Sequence, residues 1–237
     1  YHSFIRHKMV DRNTFSANES IAERLLANPS GKLVLKRHDG QCGRGVRVLK
    51  TDGTDSDGIL ASLNADKNNL VEEYIQQHPA LMELSPTGLN TVRIYTQLNK
   101  ENQAEIIGTR LRISVNSVVD NLAAGNIAAP IDEQTGSISG PGVYSDITRE
   151  DVTHHPVTGI KIPGFQIPFW EETKNMALEA ALHDTRCRSI GWDIAVTENG
   201  PDLLEGNHDW CKLVWQLPVK KGLKHVLDKY LEEYTTT

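Results

Sequence analysis

The segment IGWDIAVTENGPDLLEGN, residues 190 to 207, has the pattern of two strands joined by a tight turn. The residues ENGP at 198–201 are a strong turn signal, and apolar residues flank them on both sides. A hairpin centred near Asn199 places Asp193 directly opposite Glu205. Side chains on directly opposed positions are roughly 4.5–5.5 Å apart at Cβ, so the sequence predicts two carboxylates facing each other across a strand ladder.

The amide of Asn207 joins this pair, because strand side chains return to the same face at every second residue. Like charges opposite one another destabilise a strand pair. A hard cation such as Mg²⁺ would turn the repulsion into coordination, since it prefers oxygen ligands and keeps substrate phosphates in its shell. The alternative is an edge hairpin whose polar face is simply hydrated.

The composition restricts the class of protein. The chain has 237 residues, a formal net charge of −6 and a pI near 5.8, which argues against a nucleic-acid-binding surface. The three cysteines, Cys42, Cys187 and Cys211, are scattered and suit a reducing compartment. No apolar run approaches the ~20 residues of a membrane helix and no signal peptide is visible, so we predict a cytoplasmic protein without membrane insertion.

Hairpins outnumber strand-helix-strand units along the chain, which predicts an α+β fold with mostly antiparallel sheets and flanking helices. A capping pattern at Ser16–Glu19 precedes a predicted helix that ends before Pro29. Residues 133–169 are rich in Gly, Pro, Ser and Thr and are predicted to form a long loop with little structure of its own. The other predicted strands are 33–36, 46–49, 70–75, 91–98 and 104–114, and the other predicted helices are 60–65, 171–183 and one that begins near 223.

The stretch LKRHDGQCGRGVR, residues 35–47, is a candidate phosphate-binding loop. Gly40, Gly43 and Gly45 would let backbone N–H groups turn toward an anion, and Lys36 at a strand end would add a positive charge. The order of residues differs from that of a Walker A loop. A glycine-rich hairpin tip with incidental basic residues explains the pattern equally well.

The stretch LVEEYI, residues 70–75, is an apolar strand that contains two acids. Acids within a buried strand need partners, and free backbone groups at a strand end could read the edge of an adenine. The alternative is an edge strand with Glu72 and Glu73 in solvent.

Three arginines lie on the predicted hairpin 91–114. Arg110 and Arg112 share one face by parity, and Arg93 joins them only if the register pairs it near one of them. Guanidinium groups on one surface suit phosphate or carboxylate recognition. Surface arginines without such a role are the alternative.

The order of these motifs resembles the ATP-grasp superfamily, and in particular its sugar-transfer-associated group. The resemblance rests on six segments: VLKRHDGQCGRGV, VEEYIQQHP, LNTVRIYT, DNLAAGNIAAPID, HHPVTGIKIPG, and IGWDIAV with LLEGN. It implies an ATP-grasp fold with a small subdomain, 1–75, and a large subdomain, 76–237. Only about 35 residues precede Lys36, so the N-terminal subdomain that such folds carry is expected to be truncated here.

The resemblance also implies a role for each matching residue. Arg93 and Arg110 would contact the γ-phosphate and the transferred group, and Asp193, Glu205 and Asn207 would hold Mg²⁺. Asn121 would line the acceptor side. Apart from the resemblance, Arg112 is a candidate for substrate binding, and His208 could face the acceptor or be a loop histidine with satisfied hydrogen bonds. The residues implied in ATP binding are Lys36, Gly40, Gly43, Gly45, Glu72, Glu73, Tyr74, Ile75 and Leu204.

The function that follows is an ATP- and Mg²⁺-dependent carboxylate-amine ligase acting through an acyl phosphate, linked to polysaccharide or cell-surface sugar biosynthesis. Its partners would be a small-molecule carboxylate, an amine or sugar acceptor, and enzymes of polysaccharide biosynthesis. Two alternatives stay open: a kinase of a sugar-like hydroxyl, and a nucleotide-binding module without catalysis.

Overall fold

The computed structural model of the chain describes residues 3–38 and 45–235, the last three as backbone only. This part of the chain forms two compact units. The smaller unit spans Ile5–Gln76, and the larger comprises Ser3 and Phe4 together with the chain from Gln77 onward. The division lies one residue from the predicted boundary after Ile75.

The smaller unit is a four-stranded antiparallel sheet in the order β1-β4-β2-β3, with three helices. Its strands are β1 (Met9–Asp11), β2 (Lys32–Lys36), β3 (Arg47–Lys50) and β4 (Leu70–Glu73), and its helices are α1 (Arg12–Ala17), α2 (Glu19–Leu26) and α3 (Ser56–Asp66). The core forms where apolar side chains of the helices, among them Phe15, Leu25 and Leu63, meet Leu33, Leu35 and Val71 of the sheet.

Side-chain caps fix the start of each helix in this unit. Asp11 accepts hydrogen bonds from the first turn of α1, Asn18 from Ile21 N in α2, and Asp55 from Gly58 N in α3. The predicted capping pattern placed the cap of α2 at Ser16, which is wrong, because Ser16 lies inside α1. The predicted helix 60–65 is extended to Ser56–Asp66 by the Asp55 cap.

The larger unit is built on a five-stranded antiparallel sheet in the order β7-β6-β5-β8-β9. Its strands are β5 (Thr91–Leu98), β6 (Ala104–Ile113), β7 (Ile127–Pro130), β8 (Ser189–Thr197) and β9 (Gly200–Asn207). Its helices are α4 (Pro79–Leu84), α5 (Trp170–Ala181), α6 (Lys212–Gln216) and α7 (Lys224–Thr235). Helix α5 packs on the four strands β5, β6, β8 and β9. The predicted α+β architecture with antiparallel sheets is confirmed.

Residues 133–169 contain no helix or extended strand, as predicted, but they are held by specific contacts. Isolated bridges join Ser137 to Gln166 and Gly142 to Val152. The ring of His155 is buried: Nε2 donates to Ser114 O at 2.8 Å and Nδ1 accepts from Thr158 N at 3.1 Å. These contacts give the segment a defined path along the sheet.

Candidate active site in the larger unit

One row of side chains crosses the five-stranded sheet. The register places Pro130, Arg110, Arg93, Asp193 and Glu205 side by side on β7, β6, β5, β8 and β9. Arg93 therefore shares the face of Arg110, the register on which its predicted role depended. The predicted juxtaposition of Asp193 and Glu205 is also confirmed.

A bulge in the terminal hairpin sets this juxtaposition. Thr197 pairs with Gly200 around a two-residue turn, and Ile194 still pairs with Leu203. The register then shifts so that Asp193 pairs with Glu205, and Leu204 is the extra residue. Without the bulge Asp193 would lie opposite Leu204, and Glu205 would fall on the other face of the sheet.

The carboxylate of Asp193 is held by two arginines. Arg93 binds it in a bidentate manner, with Nε donating to Oδ1 and Nη2 donating to Oδ2 at 2.8 Å. Nη1 of Arg112 donates to Oδ2 at 2.8 Å. Only 2% of the Asp193 surface is exposed, so two guanidinium groups compensate one buried carboxylate.

Asp120 supplies a second carboxylate, which balances the second arginine of this network. The sequence analysis did not select this residue. Its Oδ1 lies 2.7 Å from Nη2 of Arg112. Its Oδ2 accepts from the backbone N of Thr91 at 2.8 Å and from the Thr91 hydroxyl. Two buried arginines and two buried aspartates thus form one network of balanced charge. An acid at the start of the segment DNLAAGNIAAPID was the available sequence signal.

Electrostatics favour the ionised form of Asp193, whereas burial raises the pKa of Asp120 despite its contact with Arg112. Burial alone would raise the pKa of Asp193, but Arg93 and Arg112 hold that pKa well below its usual range. Burial would lower the pKa of Arg93, but the Asp193 carboxylate raises it well above its usual value. Arg112, predicted to bind substrate, uses both terminal nitrogens on carboxylates, which gives it a positioning role.

Glu205 and Asn207 present oxygens beside this network. Glu205 is exposed, and Nδ2 of Asn207 donates to Glu205 Oε1 at 3.2 Å. Oδ2 of Asp193 accepts from two arginines and Oδ1 accepts from Arg93, and a side-chain hydrogen bond also links Asp193 to Glu205. Carboxylate and amide oxygens of this kind fit a hard divalent cation such as Mg²⁺. Within residues 3–38 and 45–235, no group of three or more His, Cys, Asp or Glu side chains is arranged to hold a metal ion.

Arg110 turns away from the Asp193 network. Its Nε and Nη2 donate to the carbonyl of Trp215, Nε at 3.0 Å, and Nη1 donates to Thr109 O at 2.7 Å. The residue is 3% exposed, and burial lowers its pKa to about 10. It is therefore a buried cation that contacts carbonyl dipoles and not a carboxylate.

An aromatic cluster of Tyr95, Trp210 and Trp215 lies beside this row of side chains, next to the C-terminal helices. Tyr95 lies opposite Gly108 and Gly191, and its ring contacts Trp210 and Trp215 edge-on or tilted at centroid distances of 4.9 and 6.3 Å. Burial raises the pKa of Tyr95 to about 12. The glycines leave the space that the two indoles occupy, so this cluster fixes the backbone carbonyl that Arg110 binds.

Replacing Gly108 with alanine is expected to lower the free energy of unfolding by about 1–3 kcal/mol, because overpacking a dense core forces neighbours to move. The added Cβ would lie 2.7 Å from Nε1 of Trp215, which donates to Ile107 O at 2.9 Å. Urea denaturation measures the change. Gly222→Ala is the control, since a Cβ there meets no atom within 4 Å, and equal stability of the two variants would contradict the prediction.

Three of the residues predicted for ATP in the smaller unit, Lys36, Glu72 and Glu73, take part in two ion pairs. Nζ of Lys36 lies 2.6 Å from Oε1 of Glu72, and Nζ of Lys8 lies 3.3 Å from Oε1 of Glu73. Glu72 is 4% exposed, and β4 lies between β1 and β2, so the alternative of a solvated edge strand is wrong. The strand ends at Glu73, earlier than predicted.

The other residues predicted to bind ATP or substrate lie at separate places in the fold. Tyr74 and Ile75 follow β4, Leu204 is the half-buried bulge residue, and His208 is exposed after β9. Oδ1 of Asn121 accepts from Ala123 N at 2.8 Å and so caps a short 3₁₀ turn. Gly45 borders the glycine loop, whereas Gly40 and Gly43 lie outside the described residues. Their roles stay predictions.

The model of the family described as sugar-transfer associated ATP-grasp matches residues 8–231. This chain therefore belongs to the sugar-transfer associated ATP-grasp family. No curated protein matches the sequence. None of the helices in the described part of the chain is long and apolar enough to cross a membrane.

Several solved structures are similar to this chain. D-alanine–D-alanine ligase from Bacillus anthracis is 15% identical with a TM-score of 0.48, over 98% of this chain and 62% of the ligase. The same ligase complexed with ATP is 12% identical with a TM-score of 0.47, over 98% and 60%. D-alanyl-alanine synthetase A from Vibrio cholerae is 11% identical with a TM-score of 0.46, over 86% and 50%. The chain thus spans 50–62% of the length of these structures.

Proposed function

We propose that this protein is an ATP- and Mg²⁺-dependent ligase that joins a carboxylate to an amine, or to a related nucleophile, in polysaccharide or cell-surface sugar biosynthesis. The observation that supports this most directly is the row Arg93, Asp193, Glu205, with Asn207 beside it, in a chain of the sugar-transfer associated ATP-grasp family. A module that only binds nucleotide has less need of a complete set of metal ligands.

The proposed reaction has two displacements. A carboxylate oxygen attacks the γ-phosphorus of ATP, the bond from that phosphorus to the β–γ bridging oxygen breaks, and ADP leaves. The amine then attacks the acyl carbon of the acyl phosphate, the C–O bond to phosphate breaks with its electron pair, and the amine nitrogen loses a proton. Neither step needs a covalent bond to the protein.

In this scheme Asp193, Glu205 and Asn207 would hold Mg²⁺, which would neutralise charge on the phosphates. Arg93 is held by Asp193 through Nε and Nη2, and its Nη1 makes no hydrogen bond within the described part of the chain. We assign Nη1 to the transferred phosphoryl group. A cation that is already fixed costs little reorganisation in the transition state, so positioning and preorganised charge supply the catalysis.

Acceptor-dependent release of ADP tests the proposal. The intact chain is incubated with MgATP and pairs drawn from amino acids, sugar acids and amines, and products are identified by mass spectrometry. We expect ADP only when both a carboxylate and an amine are present, together with a product in which the two are joined. A stable phosphoester formed from one hydroxyl substrate would make the protein a kinase, and ATP binding without turnover in every mixture would favour a binding module.

A further inference from the structure

A cavity of about 610 Å³ lies in the larger unit beside the part of β6 that runs from Ile106 to Arg110. Strand β7 pairs with Arg110–Ile113, and Ile131 N donates to Thr109 O at 3.2 Å, so the edge of β6 that borders this space lies before Thr109. The rest of the lining comes from Pro130 to Gly140 on one side and from Pro218 to Val226 on the other. The volume is in the range of sites that hold small organic molecules.

Arg110, which lines the cavity, is a cation without a carboxylate partner among the described residues. Arg110 is buried, its three hydrogen bonds go to main-chain carbonyls, and no acid of the described residues pairs with it. With a pKa of about 10 it stays protonated at neutral pH. The guanidinium has five N–H donors, of which these contacts use three, so two remain for a ligand.

The charge of the lining indicates the charge of the ligand. Besides Arg110 the cavity is lined by Lys221 and Glu133, which are both exposed, so the lining carries one net positive charge. An occupant with a single negative charge balances it. A multiply charged polyphosphate would leave an excess of negative charge next to Glu133.

The walls of the cavity combine polar surface with an apolar surface of similar extent. Ile106, Ile131, Val219, Leu223 and Val226 line it, and only Ser139 and Thr109 add hydroxyl groups. The apolar part of the walls stabilises an aliphatic or aromatic body, because burial of apolar surface is favourable by roughly 25 cal/mol per Å².

We propose that this cavity binds a small organic carboxylate with an apolar body, with its carboxylate on Arg110 and Lys221 and its body against Ile131, Leu223 and Val226. The inference goes beyond the proposed function and does not depend on it, because it uses neither a nucleotide nor the Asp193 network. On the sheet, β5 separates Arg110 from Asp193.

Binding of 4-phenylbutanoate, measured by isothermal titration calorimetry on the intact chain without nucleotide, tests the proposal. Its matched neutral analogue is 4-phenylbutanamide, which has the same body. We expect the carboxylate to bind at least tenfold more tightly than the amide. Absence of carboxylate binding, or equal affinity for the two compounds, would overturn the proposal.

Three variants and one control locate the site. Ser139→Trp places an indole from an exposed position into the cavity and should abolish binding, whereas Ser20→Trp, on the exposed side of α2, should not. Arg110→Met should lower carboxylate affinity at least tenfold and leave amide affinity unchanged. Glu133→Gln removes a repulsive charge and should raise carboxylate affinity about two- to fivefold at low salt.

Two results would contradict the assignment even if the carboxylate binds. The first is undiminished affinity of Ser139→Trp for 4-phenylbutanoate. This variant changes an exposed residue and so avoids the folding risk of replacing the buried Arg110. The second is competitive displacement by MgATP, which would make the cavity part of the nucleotide site. Failure of ATP turnover with intact carboxylate binding would count against the proposed function alone.

Discussion

Replacing Glu205 with glutamine is expected to abolish ATP turnover while the fold stays intact. The side chain is exposed, so the isosteric change removes a charge without opening a cavity. Under the proposed function Glu205 is the most accessible of the oxygen ligands around Mg²⁺. We expect kcat/KM to fall at least about 100-fold, which corresponds to about 2.7 kcal/mol of transition-state stabilisation.

Two measurements check this prediction. ADP release reports turnover, and titration of ATP with and without Mg²⁺ reports whether the metal still strengthens nucleotide binding. Glu198→Gln is the matched control, because Glu198 is exposed at the turn of the same hairpin. Normal turnover and normal Mg²⁺ dependence in Glu205→Gln would refute the metal assignment.

Replacing Asp193 with asparagine is expected to cost about 3–5 kcal/mol of unfolding free energy, which is typical of breaking a buried ion pair. The variant would leave the guanidinium groups of Arg93 and Arg112 buried opposite a neutral amide. The amide would also turn one N–H donor toward arginine donors. Because small domains have only about 5–15 kcal/mol of stability, urea denaturation should show a large shift of the midpoint.

The loss should depend on pH. The folded-state pKa of Asp193 is lowered, so its stabilisation is fully present above the unfolded value of about 3.9 and is lost as the pH falls below it. The difference in stability between wild type and Asp193→Asn should therefore be largest near neutral pH and narrow below about pH 4. Asp184→Asn is the control, since Asp184 pairs with an arginine that is 90% exposed. A pH-independent difference, or equal effects of the two substitutions, would show that Asp193 is not held by charge.

Local patterns predicted most of the larger sheet. The strands 91–98 and 104–114 and the hairpin of 190–207 match the observed β5, β6, β8 and β9 closely, because alternation of apolar residues and short polar turns are local properties. Helices α1, α4 and α6 were missed. Each has only five or six residues, so its stability comes from packing and not from periodicity.

The candidate site was predicted in part, for a reason that the hairpin makes clear. The predicted hairpin has a turn centred at Asn199 and no bulge. The observed hairpin has a shorter turn and a bulge at Leu204. Both arrangements pair Asp193 with Glu205. The prediction was correct although it contained neither feature. Asp120 was missed, since it lies in the irregular segment that follows β6 and no periodic pattern connects it with Arg112 on that strand.

The sequence by itself determined which residue types lie on the strands. One hairpin carries three arginines, and another carries the two carboxylates and the amide of the candidate metal site. These motifs follow one another in the order that is typical of the sugar-transfer associated ATP-grasp family. Only the tertiary structure decided how their charges are used. Pairing of β5 with β8 brings Arg93 against Asp193, and Asp120 then engages Arg112. Arg110 is directed to the Trp215 carbonyl and the cavity. Ion-pair partners depend on strand register and burial, which are set by contacts between residues far apart in the chain.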